Sequence, residues 1–362
     1  MANYKSAKRM GFINKIKMSE LLSIKDYINN LSDFEKHPLG QTQFQNIDFD
    51  WYPLNAPLGY FIESEPKHCI IMAGSKFNIR LYRGENKDNP NFAPTIKRDD
   101  LPEGSPEHCY EWIKTEEFKQ FFKESIYYSS ITDLEVFGHN FEPDIYAIAQ
   151  HYGFKTHYLD LTQSRLVAMF FAMTYYDKKT KRYYPIKDFS KFKPTIYDIK
   201  ITDLYKLSPN AFKIIGIQPL LRPLMQYAYA IDTSIFKQDL KQYFNKIELK
   251  PDPAGAEYVY DKFEGGSLLF PEERIQNTVD TIRNYNVNNK PFIKESLLFE
   301  YCKQFKLNFN TYKRKMAKLY KISDNKKYIL GTKETAIIEN MIKEQIVSLI
   351  KQKVVPYEKI EL

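Results

Sequence analysis

Arg83 and Gly84 are the first residues whose types and spacing could do chemistry. They follow the run Ile79-Arg80-Leu81-Tyr82, which predicts a short strand that ends in a sharp turn at the glycine. An arginine at a strand end, beside a glycine, favours ligand binding through charge-assisted hydrogen bonds. A structural ion pair is the alternative function for Arg83.

Asp160 and Thr162 form a second pair of candidates. Residues 158–161 read Tyr-Leu-Asp-Leu and predict a short strand, in which Asp160 points away from the face of the two leucines. Asp160 is therefore a site carboxylate, a cap for the next helix or a partner of His157. Thr162 is either a helix cap or a ligand contact.

The remaining candidates are polar or aromatic residues near predicted element ends. Gln150 and His151 end a predicted helix, so they either line a pocket or hydrogen-bond the nearby loop. Arg222 is either a second phosphate contact or a surface charge, and it precedes Gln226 at the entry to a predicted strand. Three more candidate ligand-binding residues complete the set: Tyr82, Thr156 and His157. For Tyr82 the alternative is an aromatic residue of the core.

The cysteines and histidines do not indicate a metal site. His68-Cys69 and His108-Cys109 fit none of the usual zinc-ligand spacings, so we expect no metal. Three widely spaced cysteines indicate a reducing compartment. Because no run of about 18 apolar residues occurs, we expect a cytoplasmic protein without a membrane span.

The positive charge is concentrated near the C-terminus. Residues 301–362 hold 14 Lys and Arg against 6 Asp and Glu, a surplus equal to the net charge of +8. This asymmetry indicates a surface for nucleic acid or an acidic protein, with a solvated helical face as the alternative. The amphipathic segment 337–350 could also join two copies into a homo-oligomer.

Apolar periodicity and turn residues predict an α+β fold, with small mixed sheets and flanking helices. We expect a helical lead-in with an irregular linker at 1–59, a central domain at 60–284 and a basic helical region at 291–362. The predicted helices are 12–36, 107–128, 141–152, a buried helix to about 176, 254–264, 271–284 and 337–350. The predicted strands are 79–82, 158–161, 195–201, 225–231 and 246–249, with a polar break at 286–290.

Four stretches of the chain resemble the FRG family, which is named for an aromatic-Arg-Gly motif. This resemblance implies that the central domain at 60–284 is an FRG domain. The most specific is the second, in which Gln150-His151-Tyr152-Gly153 leads to an apolar helix that ends Phe-Ala. The chain departs from the family pattern at His157, where the family has Arg, and at Leu161, where it has Trp. The four stretches are 81–85, 149–172, 221–226 and 268–272.

The same order of stretches is more distantly similar to ADP-ribosyltransferases. This resemblance implies NAD as the substrate, with Arg83 on its pyrophosphate and Asp160 and Thr162 at the second-strand position. It also implies an ADP-ribosyltransferase-like core and a catalytic Glu on the third strand, where this chain has Gln226. Asp160 and Gln226 are therefore the candidate catalytic residues, and either Asp160 or Glu85 could supply the carboxylate. The function implied is ADP-ribosyl transfer or NAD hydrolysis in a bacterial defence or toxin context. The alternative is a non-catalytic module that senses a ligand or binds protein or nucleic acid.

Overall fold

The computed structural model describes residues 59–65, 68–73, 80–98, 101–132, 135–136, 139–140, 143–200, 203–204, 207–208, 211–214, 220–324 and 354–356. The predicted helices 12–36 and 337–350 lie outside these residues. The helices of the described part are α1 (Thr95–Arg98), α2 (Pro106–Lys123), α3 (Ile126–Thr132), α4 (Ile145–His151), α5 (Arg165–Met173), α6 (Leu221–Met225), α7 (Pro253–Lys262), α8 (Ile275–Asn284), α9 (Glu295–Gln304) and α10 (Phe309–Leu319).

The strands form small sheets around one six-stranded antiparallel sheet, with the order β10-β11-β6-β3-β9-β12. This mixture of helices and small sheets confirms the α+β prediction. The strands are β1 (Gly59–Glu65), β2 (His68–Ala73), β3 (Arg80–Glu85), β4 (Glu135–Val136), β5 (His139–Asn140), β6 (Tyr158–Thr162), β7 (Thr174–Asp177), β8 (Arg182–Pro185), β9 (Thr195–Lys200), β10 (Phe212–Ile214), β11 (Ala228–Asp232), β12 (Asn245–Glu248), β13 (Asn286–Val287), β14 (Lys290–Ile293), β15 (Lys321–Ile322) and β16 (Val354–Pro356).

The two faces of the six-stranded sheet are set by the register of β3 and β6. Tyr82 pairs directly with Thr162, so these two side chains share one face with Asp160. We call this the helix face, because the buried helix α5 packs on it together with Tyr82. The opposite face carries Leu81, Leu159 and Leu161, which pack into a second core cluster.

Gly84 lies where α5 crosses β3. A Cβ atom at this position would stand 1.7 Å from the backbone oxygen of Ala168, so only glycine allows the helix this close. The prediction of a sharp turn at Gly84 is wrong, because β3 continues through Glu85. The glycine is required by helix packing instead.

Two predicted elements have different bounds in the structure. The single helix predicted at 107–128 is two helices, because Glu124 and Ser125 end α2 and the Ser125 hydroxyl donates to the carbonyl of Phe122. The strand predicted at 225–231 is β11, which begins only at Ala228, because Met225 is still the last residue of the short helix α6. Tyr227 joins them with a φ of 47°, a left-handed conformation that no apolar pattern indicates.

The polar break at 286–290 is the turn of a hairpin between β13 and β14. Asn288 and Asn289 both have positive φ values, 51° and 60°, which is the requirement of a two-residue type I′ turn. The following helices α9 and α10 pack on α2, with Tyr301 and Met316 in a cluster that contains Cys109 of that helix. Within the described residues, no helix is both long and apolar enough to cross a membrane.

Candidate functional site

Helix α4 ends directly after His151, in a motif built around Gly153. Gly153 has a φ of +80°, the N–H of Phe154 donates to Ala149, and the N–H of Gly153 donates to Gln150. These two bonds satisfy the last carbonyls of the helix in the manner of a Schellman cap. The glycine of the Gln-His-Tyr-Gly stretch therefore ends the helix immediately after the histidine.

His151 is the central side chain of the site. Its side chain is 3% exposed, its Nδ1 lies 3.1 Å from Oε1 of Gln226, and its Nε2 lies 4.0 Å from Oδ1 of Asp160. Burial lowers the pKa of His151, and the charge of Arg222 lowers it further, although Asp160 and Gln226 oppose this. The ring is therefore neutral at pH 7.

Asp160 is the solvent-facing part of the site, with a side chain that is 42% exposed. Its neighbour on β11 is Ala230, and Thr162 is paired with Ala228. Because both neighbours are alanines, the helix face has little side-chain bulk beside the carboxylate. Oδ1 of Asp160 and Nε2 of His151 are buried atoms without a hydrogen-bond partner among the described residues.

Arg222 borders the same site from α6. Its guanidinium carbon lies 5.1 Å from the ring centroid of Tyr152 and 6.0 Å from that of Phe270, and its Nε is also buried without a partner in the described part. Burial raises the pKa of Tyr183, Asp160 raises it further and Arg222 lowers it, so this tyrosine lies near both charges. The ring of Tyr183 stacks on Phe270 at 5.1 Å.

Glu273 holds the segment of Arg222 in place through hydrogen bonds. Its carboxylate accepts hydrogen bonds from the Tyr152 hydroxyl and from the backbone N–H groups of Leu221 and Arg222. Burial raises the pKa of Glu273, while these donors lower it. The sequence prediction missed Glu273, although it directly follows the fourth FRG-like stretch at 268–272.

Thr162 and Gln226 join β6 to the segment before β11. The Thr162 hydroxyl donates to the carbonyl of Gln226 at 2.7 Å and accepts from the N–H of Ser164 at 3.0 Å. Ser164, rather than Thr162, caps α5, because its hydroxyl accepts from the N–H of Val167. Thr162 therefore connects segments of the chain.

Arg83 lies on the opposite face from the carboxylate of Asp160. The alternation from Tyr82 places it there, over the ring of Phe92 at 5.6 Å. Its Nε donates to Glu85 and its Nη1 donates to the backbone carbonyl of Asp160, with a side chain that is 10% exposed. The structure thus gives Arg83 an ion pair and does not bring it into one cleft with the Asp160 carboxylate.

The other predicted residues make internal contacts. The Thr156 hydroxyl donates to Oε1 of Gln150, and both side chains are buried. The Tyr82 hydroxyl accepts from Nε of Arg165 at 2.9 Å on the helix face. His157 supplies its backbone carbonyl to Thr233. The fold therefore unites His151, Asp160, Arg222 and Gln226, and it leaves the other candidates outside this group.

No group of three or more His, Cys, Asp or Glu side chains in the described residues could hold a metal ion. His108, one of the histidines considered for a metal, instead shares a hydrogen bond with the hydroxyl of Tyr301 through Nδ1 at 2.8 Å. Cys109 and Cys302 are buried free cysteines.

Comparison with known proteins supports one part of the chain. No curated protein and no solved structure matches it. The family model described as FRG domain matches residues 78–181, which include β3, α4, β6 and α5. The prediction of an FRG domain is therefore confirmed for residues 78–181.

Proposed function

We propose that the His151–Asp160–Arg222 site binds NAD or a related nucleotide and cleaves its nicotinamide bond, by hydrolysis or by ADP-ribosyl transfer. One observation carries the proposal: three buried polar atoms, Nε2 of His151, Oδ1 of Asp160 and Nε of Arg222, lack partners among the described residues. Buried polar atoms in native proteins are nearly always paired, so three unpaired ones around one site indicate polar groups that a ligand or water could satisfy.

The charges of these residues suit the two ends of such a substrate. Arg222 can donate charge-assisted hydrogen bonds to the pyrophosphate. The stacked rings of Tyr183 and Phe270 offer a flat apolar surface to a base or to the nicotinamide ring. The exposed carboxylate of Asp160 can face the ribose of the scissile bond.

The proposed reaction separates charge at the ribose carbon C1′. The bond from C1′ to the nicotinamide nitrogen breaks, and its electron pair neutralises the positive ring of the leaving nicotinamide. Positive charge develops on the sugar, where Asp160 stabilises it in the transition state. A water or an acceptor hydroxyl then bonds to C1′ and loses one proton, which gives ADP-ribose or an ADP-ribosylated acceptor.

The test measures nicotinamide released from NAD by the purified full-length chain. We expect Asp160→Asn to lower the rate by at least about 100-fold, because the amide cannot stabilise the cationic sugar. The matched control is Asp261→Asn, which changes an exposed carboxylate on α7 and should leave the rate unchanged. The proposal fails if the wild-type chain releases no nicotinamide, labels no acceptor and shows no rise in melting temperature with NAD.

The bacterial defence or toxin context of this proposal rests on the FRG resemblance alone. An ADP-ribosyltransferase-like core likewise remains a hypothesis. Arg83 gives it no support, because the ion pair with Glu85 on the opposite face occupies the strand-end arginine.

A second candidate function is nucleic-acid binding through α10. Arg314, Lys315 and Lys318 are exposed on this helix, and Lys321 follows it on β15. Because Tyr312 and Met316 belong to the core shared with α2, charge reversal is a cleaner test than deletion of the region.

We expect the Arg314→Glu, Lys318→Glu double variant to weaken binding to single-stranded RNA, and to lower the salt slope by about one for each phosphate that the variant no longer neutralises. The control is Lys237→Glu, which changes an exposed lysine outside α10 and β15. Equal RNA affinity of wild type and double variant would refute this function. Capture of an acidic protein without RNA binding would identify the other partner class. A homo-oligomer through 337–350 stays a prediction.

A further inference from the structure

The side-chain amide of Gln226 lies between a backbone carbonyl and the ring of His151. Its Nε2 donates to the carbonyl of Leu269 at 2.9 Å, and its Oε1 faces Nδ1 of His151 at 3.1 Å. A carbonyl can only accept, so the contact with Leu269 fixes which end of the amide is the nitrogen. The oxygen of Gln226 must therefore face the histidine.

This orientation determines where the proton of His151 lies. An amide oxygen is an acceptor, so the hydrogen bond at Nδ1 requires the proton to be on that nitrogen. In a neutral imidazole the other nitrogen then carries a lone pair. Since burial keeps the ring of His151 neutral, Nε2 is an acceptor at pH 7.

The lone pair of His151 faces a second acceptor. Nε2 and Oδ1 of Asp160 are 4.0 Å apart, which is too far for a direct hydrogen bond and unfavourable for two acceptors without a donor. If a water oxygen lay about 2.8 Å from both atoms, the angle at that oxygen between Nε2 and Oδ1 would be about 90°. This is close to the angle between the two O–H bonds of water. The pair is thus matched to a protic group that donates in both directions.

We propose that Gln226 is a positioning residue that holds His151 as its Nδ1–H tautomer, so that Nε2 takes the proton of a water or hydroxyl nucleophile. His151 is then the general base and Asp160 orients the same nucleophile. In the cleavage step the O–H bond of the nucleophile breaks, its proton moves to Nε2, and its oxygen bonds to C1′. The imidazolium later returns the proton to solvent.

This assignment changes the role predicted for Gln226. The sequence placed Gln226 among the catalytic residues, at the position of a third-strand Glu. In the structure both ends of its amide are occupied within the fold, by Leu269 and His151. It acts through His151, as the group that orients a catalytic histidine does in other enzymes. The inference rests on the proposed function for its reaction, but not for the tautomer.

The tautomer can be measured without any substrate. In protein labelled with ¹⁵N-histidine, we expect an unprotonated nitrogen signal for Nε2 of His151 and a protonated one for Nδ1. Six histidines are present, and the spectrum of His151→Gln assigns the signal. A proton on Nε2 in the wild-type chain overturns the proposal, whatever the activity toward NAD.

Gln226→Met tests the positioning role, because methionine keeps the volume and removes the acceptor. We expect the Nδ1–H preference of His151 to be lost, and the kcat for nicotinamide release to fall about tenfold or more with little change in KM. Gln150→Met is the matched control for the tautomer. Gln150 is buried like Gln226, but it lies on α4 and its side chain pairs with Thr156. An unchanged His151 signal in Gln226→Met refutes the role.

These measurements separate the two proposals. If Gln226→Met loses the Nδ1–H preference of the wild-type chain, but the wild-type chain releases no nicotinamide, labels no acceptor and shows no rise in melting temperature with NAD, the positioning role stands and the NAD proposal fails. If Gln226→Met does not fold, the wild-type spectrum still tests the proposal, because a proton on Nε2 excludes the tautomer that the positioning role requires.

Discussion

The close approach of α5 to β3 at Gly84 predicts a large effect for one methyl group. In Gly84→Ala the new Cβ would lie 1.7 Å from the Ala168 oxygen and 2.9 Å from the Ala172 nitrogen, both backbone atoms. An ordinary contact needs about 3.5 Å, so α5 would have to move by about 2 Å. Because seven of the nine residues of α5 are buried, the cost exceeds the usual range of about 1–3 kcal/mol for overpacking.

We therefore expect Gly84→Ala to lower the free energy of unfolding by about 3 kcal/mol or more. In a chain of this size, that lowers the melting temperature by about 4 °C or more. Circular dichroism during urea and thermal unfolding measures both quantities. The control is Gly104→Ala, whose Cβ meets only Leu307 at 4.0 Å but whose φ of +81° costs about 1 kcal/mol in alanine.

A Gly84→Ala variant as stable as the wild type would refute the packing argument. The glycine would then be open to a ligand, as the strand-end prediction held. A loss no larger than that of Gly104→Ala would show that α5 and β3 move apart at little cost, and would also contradict the expected magnitude.

Three further predictions concern single residues. Asp88 accepts hydrogen bonds from three lysines and the Tyr197 hydroxyl, and these contacts hold its pKa well below 3.8 despite burial. The ionised carboxylate therefore stabilises the fold above pH 3.8, and this contribution is lost as the pH falls through the lowered pKa. Asp88→Asn should therefore destabilise the fold by about 1–3 kcal/mol at pH 7, and flatten the acid dependence of urea unfolding. Ser164→Ala removes the cap of α5 and should cost about 1 kcal/mol in the same assay. His151 faces Asp160, Arg222 and Gln226, and burial lowers its pKa. Nicotinamide release should therefore persist below pH 6.5 and decline only as the ring becomes protonated. A decline centred above pH 6.5 would contradict a neutral buried base.

Local patterns were sufficient to identify most of the site. Alternation along 158–161 correctly set Asp160 apart from the two leucines, and the helix-ending Gly153 placed His151 at the end of α4. These features depend on the periodicity of a strand and on the φ of a glycine, which are local properties. The third and fourth stretches, through Arg222 and Leu269, also reach the same site.

The position of Arg83 could not be obtained in this way. Its face depends on the pairing of Tyr82 with Thr162, residues 80 positions apart, and a shift of one residue in that register would reverse it. The same limit applies to Gln226, whose function depends on contacts with Leu269 and His151. The late start of β11 at Ala228 depends on the left-handed conformation of Tyr227, which is uncommon for a tyrosine.

The order of strands in the six-stranded sheet has a consequence for synthesis of the chain. Tyr82 pairs with Thr162, Arg80 pairs with Lys200, and Asp160 pairs with Ala230. Most neighbouring strands of the sheet are therefore far apart in the sequence, and the second strand of each pair is synthesised long after the first. Long closures of this kind slow folding. Leu269, which fixes the amide of Gln226, and Glu273, which holds Leu221 and Arg222, leave the ribosome later still. A nascent chain that has exposed only the residues 78–181 therefore lacks the arrangement on which the proposed activity depends.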